Sequence, residues 1–503
     1  MKDGVIVVGG GPVGLMVASE LALANIKVCL LERLKDTTPY SRALTIHPRT
    51  LEILDMRGLA PELLEKGRPI PKGHFAGLAT PLDFSVLDSA SNYTLVLAQS
   101  ETEKLLEERA RGLGVAIIRE TEVKSIRQHD EGVEVTALGS EGEYRLTAAY
   151  VVGADGGGSL VRKQMDIAFL GTDATFTCML GDVKLPELEA GGIVSHFTEQ
   201  GGIMIVPVTK QIHRVIVFDS ERMAIAKDEP VTLGELKSSM LRVYGQDFGI
   251  REAEWLSRFG NATRQAEHFR KNRVFLAGDA AHIHLPAGGQ GMNVGLQEAV
   301  NLGWKLAAEL NGWAPDWLLD SYHEERYPVS TALLRNTEAQ ALLIRQLPGV
   351  VELRKLMASL LQIPEANALL SAQISAFDVG YAPDPQSPPH PLNGRRFSEL
   401  TLRLASGSLL KSYKLMHAGS YVLLHLAGDP QFGELVDWEK YAHVEGVQAS
   451  IAEAAIGWEN VHTALIRPDG YIAWAVDCTE SAPLEAVKAG LARWCEQGST
   501  HLK

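Results

Sequence analysis

A glycine-rich turn near the start of the chain places the strongest constraint on its fold. Residues 5–8 form a short apolar run typical of a buried strand, and Gly9, Gly11 and Gly14 follow it with the spacing Gly-x-Gly-x-x-Gly. Apolar residues at helical spacing come next, so we expect a helix to begin at about Pro12. Such a turn lets the backbone approach a pyrophosphate group, at which the N-terminus of the helix points. The sequence therefore predicts a Rossmann-like α/β unit that binds a dinucleotide.

A second strand and an acid complete this fingerprint. Residues 28–31 are apolar, and Glu32 and Arg33 follow them. An acid at this place accepts a hydrogen bond from a ribose hydroxyl, and the glycines alone would be a much less specific signal. We expect Glu32 and Arg33 to contact an adenine dinucleotide. The residues expected on the buried face of the intervening helix are Leu15, Ala18, Leu21 and Ala22.

A second glycine-rich loop lies in the middle of the chain. Residues 274–277 are of strand type, and the apolar spacing after Gly291 predicts that a helix begins there. Proline and glycine in the loop allow the backbone to approach a flat ligand, and the first amides of the helix would face an anion. We therefore predict a site for a ring that becomes negatively charged. Gly278 and Asp279 end the strand before this loop, and the candidate contacts to the ring are Pro286, Gly289, Gly291, Met292 and Asn293.

Two residues of the segment after the second strand are candidates for ligand contact. The guanidinium of Arg42 offers two parallel donors to phosphate oxygens or to the edge of a ring, although an exposed surface arginine is the alternative. His47 precedes Pro48, which suits the first turn of a helix. His47 is therefore either a substrate contact or an ordinary residue at a helix start.

A third strand-to-helix turn contains Asp155, Gly156, Ser159 and Arg162. An acid after a buried strand, with an arginine in the first turn of the helix, predicts a second element that faces phosphate. The alternative is a capped turn without a ligand.

Length, charge and cysteine content restrict the class of protein. At 503 residues the chain should divide into two or three domains. The net charge of −14 is spread along the chain, which argues against nucleic acid or an acidic membrane surface as a partner. The four cysteines lie far apart without CxxC spacing, so neither a disulfide framework nor a metal site is expected. We expect a cytoplasmic protein without a signal peptide or membrane span.

The three glycine and acid motifs, in this order and spacing, resemble those of the single-component flavoprotein monooxygenases, the group that includes p-hydroxybenzoate hydroxylase. The resemblance covers about the first 330 residues. The run of residues 278–293 and the run of residues 319–329 are most similar to the aromatic polyketide hydroxylases and the rifampicin monooxygenases. The resemblance implies that FAD is the cofactor, that NADPH or NADH is a transient cosubstrate, and that O2 reacts through a flavin C4a-hydroperoxide.

The resemblance also implies roles for particular residues. Glu32 is expected on the adenosine ribose and Asp279 on the ribitol of FAD. Asp155 is expected near both FAD and the nicotinamide. The remaining residues that the resemblance places near the cofactor are Arg42, Gln99 and Arg162.

The implied architecture is an α/β chain of three domains. Residues 1–72, 99–165 and 266–380 would form a discontinuous FAD-binding domain, and residues 73–98 and 166–265 a substrate domain built on a mixed sheet. Residues 395–503 resemble the thioredoxin-like C-terminal domain of the polyketide hydroxylases. This domain lacks CxxC, so a structural role or a subunit contact is expected rather than redox chemistry. The protein would be a monomer or a homodimer.

Strand-like segments of the substrate domain carry large apolar residues that are candidates for the wall of a substrate cavity. The alternative is an ordinary core, since pockets draw on few wall residues. No acidic pair or Ser/His/Asp grouping identifies a general base. The candidate substrate contacts are His47, Phe176, Met179, Phe197, Met204, Val206, Phe218 and Pro286.

The sequence leaves the substrate and the outcome of the reaction open. We expect hydroxylation of a small polycyclic aromatic compound, either a polyketide intermediate in biosynthesis or an antibiotic in resistance. Baeyer–Villiger oxygenation on the same scaffold is an alternative, because fold analogy does not separate the two reactions. Further alternatives are a flavin dehydrogenase, a halogenase, for which the Trp-x-Trp-x-Ile-Pro motif is absent, and a flavin-bearing protein that sequesters a drug.

Overall fold

The structure is a computed structural model. No helix among its described residues is long and apolar enough to cross a membrane. The described residues are 3–38, 40–188, 194–209, 211–345, 347–428, 436–480 and 483–496.

A six-stranded sheet forms the centre of the N-terminal half of the molecule. Strand Val5–Val8 lies in its middle and is buried on both faces, as in parallel sheets covered by helices. The chain order reverses on either side of this strand, which creates the switch point where doubly wound folds bind ligands. All neighbouring pairs are parallel except the one made by the edge strand Arg270–Lys271. The spatial order is Arg270–Lys271, Val274–Leu276, Tyr150–Gly153, Val5–Val8, Val28–Leu31 and Ala116–Ile118.

Three helices support the glycine-rich end of this sheet. Helix Pro12–Leu23 packs against both Gly291–Leu310 and Gln99–Gly112. We expected one buried face on the first helix, but every residue from 14 to 21 is buried because partners cover it on two sides. The predicted starts of the helices at Pro12 and Gly291 are confirmed.

A second large sheet has five antiparallel strands. The sequence pattern predicts a helix from Leu233 to Tyr244. The structure confirms this helix, which packs on one face of the sheet. The opposite face carries residues of a second apolar cluster that extends to residues 285–287. The strands lie in the order Val194–Thr198, Gly201–Pro207, Ile212–Asp219, Thr177–Lys184 and Ala253–Gly260.

Helices follow the long helix Gly291–Leu310. The sequence predicted a continuous helical stretch from Tyr322 to about Leu370, but three helices occupy it: Ser321–Ile344, Val350–Leu360 and Pro364–Ser375. The first break contains Gly349 in a left-handed conformation, with φ of 81°, and Pro364 begins the third helix.

Small sheets and short helices complete the part of the molecule that precedes the C-terminal region. Strand Thr94–Val96 pairs with both Thr45–Ile46 and Arg68–Ile70. The remaining strands there are Lys72–Gly73 with Leu82–Asp83, Phe169–Thr172 with Thr263–Ala266 and His282–Ile283, and Glu122–His129 with Gly132–Gly139 and Gly142–Ala148. The remaining helices are Pro48–Asp55, Ala60–Lys66 and Leu160–Gln164.

The C-terminal region forms a second six-stranded sheet. A parallel pair, Tyr421–His425 and Val444–Ile451, is followed by the antiparallel hairpin Val461–Ile466 and Ile472–Asp477, as expected of a thioredoxin-like domain. Helix Pro483–Cys495 packs on this sheet. The order is Leu409–Lys411, Thr401–Leu404, Val444–Ile451, Tyr421–His425, Val461–Ile466 and Ile472–Asp477. The predicted end of this domain, at residues 497–503, lies outside the described residues.

Candidate functional site

The three glycines of the first turn have different structural reasons to be glycine. Gly9 adopts φ of 107°, and a Cβ there would lie 2.4 Å from the carbonyl oxygen of Ala154. A Cβ on Gly14 would lie 2.0 Å from the carbonyl oxygen of Gly9. A Cβ on Gly11, in contrast, would meet nothing within 4 Å. Gly9 and Gly14 therefore serve the fold, whereas Gly11 leaves open space in front of the helix that begins at Pro12, which fits the approach of a pyrophosphate.

The acid of the fingerprint lies beside this turn. One carboxylate oxygen of Glu32 accepts a hydrogen bond from the amide of Gly10 at 2.6 Å, and the other accepts from the amide of Leu34 at 2.8 Å. Arg33 is exposed. The carboxylate of Glu32 is thus held at the edge of the space expected for an adenosine ribose, and the residues present fit a dinucleotide.

A second acid, Asp279, follows a turn at the end of another strand of the six-stranded sheet. Gly278 has φ of 61°, which turns the chain at the end of strand Val274–Leu276 and presents Asp279 to solvent. Although Asp279 is accessible, desolvation by the surrounding protein raises the pKa of its carboxyl above the usual value, while His282 and Arg42 act in the opposite direction.

The glycine-rich loop presents unpaired amides at a helix start. Gly288 and Gly289 have φ of 70° and 65°, and helix Gly291–Leu310 begins just after them. Among the described residues, none accepts a hydrogen bond from the amides of Gly291, Met292 and Asn293. Such donors stabilise negative charge in front of the helix. Pro286 is exposed beside them.

The side chain of Asn293 holds two segments together. Its amide group donates to the carbonyl oxygens of Thr45 at 3.0 Å and Gly289 at 2.9 Å, and its oxygen accepts from the amide of His47 at 2.8 Å. Asn293 is buried. Its side chain therefore positions the loop, so any contact with the cofactor would come from its backbone.

His47 begins helix Pro48–Asp55 and is buried. Its Nε2 lies 2.7 Å from the carbonyl oxygen of Gly288, so this nitrogen carries the proton, and Nδ1 lies 3.2 Å from the hydroxyl of Thr94. Burial lowers the pKa of His47 to about 4. The ring nitrogens are thus both engaged with protein atoms at a helix start, while the ring edge contacts Phe84.

Arg42 and Gln99 lie in two segments that are hydrogen-bonded to each other. Arg42 is exposed, and its charge acts on the carboxyl groups of both Asp279 and Glu103. The oxygen of Gln99 accepts from the amide of Ala43 at 2.9 Å, and its amide group donates to Glu103 at 2.7 Å. Gln99 therefore fixes the segment that carries Arg42.

The third predicted element is a capped turn. The carboxylate of Asp155 accepts from the hydroxyl of Ser159 at 2.6 Å and from the amide of Leu160 at 2.7 Å. Arg162 is buried, and its guanidinium donates to the carbonyl oxygen of Ala280 at 2.8 Å. Asp155 thus caps its own turn, and Arg162 connects this turn to Ala280.

The apolar residues predicted to line a substrate cavity separate by face of the five-stranded sheet. Met179 packs on the opposite face against helix Leu233–Tyr244, so the structure corrects its assignment, and Val206 is half-buried outside the cluster. Alternation along the strand places Cys178, not Met179, on the face that carries the second apolar cluster. The members of this cluster and the residues packed against it include Phe176, Phe197, Met204 and Phe218, together with Phe84, Leu285 and Ala287.

The tertiary fold brings residues to the site that were not predicted from the sequence. Arg214 forms an ion pair with Asp182, at 2.8 and 2.7 Å, and also donates to the carbonyl oxygens of Ser41 and Arg42. It thereby anchors the segment of Arg42 to the five-stranded sheet. His284 was also missed, although its place two residues before Pro286 was a usable signal. Partners distant in the chain, such as Asp182 and Arg214, give no local signal.

His284 lies next to the start of the long helix. Its Nδ1 lies 2.6 Å from the carbonyl oxygen of Leu285 and so carries the proton. Its Nε2 lies 3.2 Å from the place of a Cβ on Gly291. Burial lowers the pKa of His284 to about 4, which keeps the ring neutral near neutral pH.

A polar surface cavity of about 450 Å³ lies elsewhere. None of the predicted cofactor residues lines it, and one of its walls is the ion pair of Arg270 and Asp320. We assign it no role in the candidate site.

Comparison with known proteins matches two segments of the chain to protein families. Residues 2–337 match the family described as FAD binding domain. Residues 390–498 match the family described as aromatic-ring hydroxylase, C-terminal. The match to the FAD-binding family covers the glycine turns, the two acids and the loop at Gly291.

Individual relatives are similar over nearly their whole length. The uncharacterised aromatic compound monooxygenase YhjG of Bacillus subtilis (strain 168) is 49% identical over 495 residues, which are 98% of each chain. A rifampicin monooxygenase of Streptomyces venezuelae is 42% identical over 94% of this chain and 95% of the relative. The solved structure of OxyS anhydrotetracycline hydroxylase from Streptomyces rimosus has a TM-score of 0.90 at 39% identity, covering 98% of this chain and 99% of that chain.

Proposed function

The chain belongs to the family of FAD-dependent aromatic-ring monooxygenases, and we propose that it oxygenates a polycyclic aromatic polyketide or antibiotic. FAD, when bound, would supply the redox chemistry, because it accepts electrons from NAD(P)H and, once reduced, reacts with O2. Relatives named for anhydrotetracycline and rifampicin support this class of substrate.

One observation carries the proposal. The apolar cluster on the five-stranded sheet includes Leu285 and Ala287. Both residues belong to the loop that leads to Gly291, where the first amides of the helix have no hydrogen-bond acceptor among the described residues. Phe176 and Phe218 from the sheet join the same cluster. An apolar ligand held by these residues would lie against the loop expected to hold the ring of the cofactor.

The residues of this loop account for the chemistry without a side-chain base. Amides at the start of helix Gly291–Leu310 stabilise negative charge, and they are fixed in place before reaction. The apolar cluster excludes water from the ligand. A phenolic substrate activates its own ring when it ionises, so the protein has to orient it and keep it dry.

The proposed contacts to FAD follow from the same geometry. The open space at Gly11 would take the pyrophosphate, Glu32 the adenosine ribose and Asp279 the ribitol. Arg42, Gln99, Asp155 and Arg162 would border the cofactor, with Gln99 and Arg162 acting through the segments that they hold. NADPH or NADH would dock transiently, and Baeyer–Villiger oxygenation remains the alternative outcome.

Adjacent residues of one strand offer a matched test. Met204 faces the apolar cluster, whereas Ile203 faces helix Leu233–Tyr244. Replacing Met204 with Ala should weaken the binding of an aromatic ligand. Binding is measured from the change that the ligand causes in the flavin absorption spectrum. Replacing Ile203 with Ala should lower stability without changing that affinity. Equal ligand affinity in wild type and Met204→Ala would argue against this cavity.

A further inference from the structure

An apolar surface lies on the helices that follow the long helix Gly291–Leu310. Of the 17 large apolar side chains that are exposed in the described part of the chain, seven lie in the stretch from Leu342 to Leu369. Single exposed apolar residues are ordinary on a protein surface, whereas a concentration of them marks an interaction site. Together the seven side chains expose roughly 500–600 Å² of apolar area, the upper end of what the surface of a monomer shows.

The centre of this surface is a row of leucines on helix Val350–Leu360. Leu353, Leu356 and Leu360 are 39%, 57% and 42% exposed. Their spacing of three and four residues places them on one side of the helix. These three residues form what we call the leucine stripe.

The opposite side of the same helix is already filled. Val350 is buried, and Leu361, directly after the helix, belongs to the second apolar cluster on the five-stranded sheet. The guanidinium of Arg354 donates to the carbonyl oxygens of Ala76 at 2.9 Å and Gly77 at 2.8 Å. The helix is thus fixed with the leucine stripe outward, and a rotation that buried the stripe within the chain would break these contacts.

We propose that the leucine stripe is the contact of a homodimer, in which helix Val350–Leu360 packs antiparallel against the same helix of a second copy. A two-fold axis brings a surface patch opposite the same patch of the other copy. With the axis passing near Leu356, Leu353 of one copy would pack against Leu360 of the other. The contact is self-complementary because all three residues are leucines.

Area and charge favour a second copy over other partners. Two such surfaces with their polar rims amount to about 1,200–2,000 Å², the size of a standard protein interface. The exposed charges beside the stripe, Glu352 and Lys355, form an ion pair at 2.7 Å and therefore carry no net charge that would repel a second copy. An acidic lipid surface, in contrast, would be repelled by the net charge of −14.

Sedimentation velocity of the purified full-length protein tests the dimer. Wild-type protein should sediment as a dimer within a range of about 1 to 50 µM. Leu356→Glu should weaken the dimer at least about 100-fold, because symmetry would bury two carboxylates without partners. Leu241→Glu is the matched control, since Leu241 is 46% exposed on helix Leu233–Tyr244, outside this surface, and it should remain a dimer. Circular dichroism spectra of both variants should match that of wild type.

A cysteine variant tests where the two copies meet. Cys478 is the exposed cysteine of the four, so Leu356→Cys is made in a Cys478→Ser protein. Oxidation should join two chains through the cysteines near the axis, whereas Leu241→Cys in the same background should stay unlinked. This variant also tests the contact if Leu356→Glu does not fold.

A wild-type protein that stays monomeric up to about 50 µM would overturn the inference, whatever other partner it binds. A folded Leu356→Glu protein that remains a dimer would also overturn it, because the copies would then meet elsewhere. Absence of the Leu356→Cys cross-link in a dimeric protein would lead to the same conclusion. None of these outcomes bears on the proposed oxygenation, which the ligand experiments test separately.

Discussion

The guanidinium of Arg467 donates to both carboxylate oxygens of Glu325, at 2.7 and 2.8 Å. Arg467 begins the hairpin turn of the C-terminal sheet, and Glu325 lies in helix Ser321–Ile344. Lys305 donates to the same carboxylate at 2.7 Å. The C-terminal region is thus joined to the helices behind the candidate site by a buried ionic contact, which supports the expectation of a structural role for it.

Removing one partner of this contact should destabilise the protein. Glu325→Ala leaves the buried charge of Lys305 without its partner and leaves Arg467 paired with Asp469 alone, so we expect a loss of about 3–5 kcal/mol in the free energy of unfolding. Lys488→Ala removes an exposed pair with Glu485, and its effect should be below about 1 kcal/mol. Urea denaturation of both variants checks this. Similar small losses would show that the hairpin contact contributes little.

Gly11 and Gly14 should respond differently to the same substitution. Gly11→Ala places its Cβ in open space, so stability should change by less than about 1 kcal/mol while FAD affinity falls about tenfold or more. Gly14→Ala forces a Cβ against the carbonyl of Gly9 and should cost about 3 kcal/mol of stability. Thermal unfolding and FAD titration separate the two effects. Full FAD affinity in Gly11→Ala would contradict the pyrophosphate assignment.

Gly291→Leu should impair the cofactor site. The side chain would start about 3.2 Å from Nε2 of His284 and extend over the amides of the helix start, so FAD content and reduction by NADPH should both fall. Gly234→Leu is the matched control, because Gly234 also lies in the first turn of a helix and has open space around it. FAD content is read from the absorption spectrum after purification. Normal FAD content and turnover in Gly291→Leu would rule out the role of this helix start.

His47 should contribute to loss of stability in acid. Its pKa is about 4 in the folded protein against 6.5 when unfolded, so the stability is fully present above about pH 6.5 and is lost as the pH falls towards 4. The full difference corresponds to about 3 kcal/mol. His47→Gln should flatten the pH dependence of the free energy of unfolding by about 2–3 kcal/mol between pH 7 and about 4.5. Parallel curves for wild type and variant would contradict this.

Local patterns predicted the elements that carry the candidate site. The strand before Gly9, the helix at Gly291 and the helix Leu233–Tyr244 were all expected from apolar spacing and glycine positions. These features depend on residues close together in the chain. The family resemblance then supplied the cofactor, which no local pattern of apolar residues could specify.

Contacts between distant segments could not be predicted in this way. The pairing of Asp182 with Arg214 and of His282 with Glu298 depends on how sheets and helices are placed relative to one another. The assignment of Met179 to the cavity was a different error, because alternation along its strand already places it on the other face. The roles of individual residues toward FAD stay predictions that the variants above examine.

Oxygenation of a polycyclic aromatic compound is tested by measuring NADPH oxidation and O2 uptake of the purified flavoprotein, with and without a panel of naphthacene, angucycline, tetracycline and rifamycin ligands. The mass of each ligand is then determined. We expect at least one ligand to accelerate NADPH oxidation and to gain one oxygen atom. A ligand that binds but leaves with unchanged mass, while NADPH and O2 are consumed at the same rate with every ligand, would contradict it.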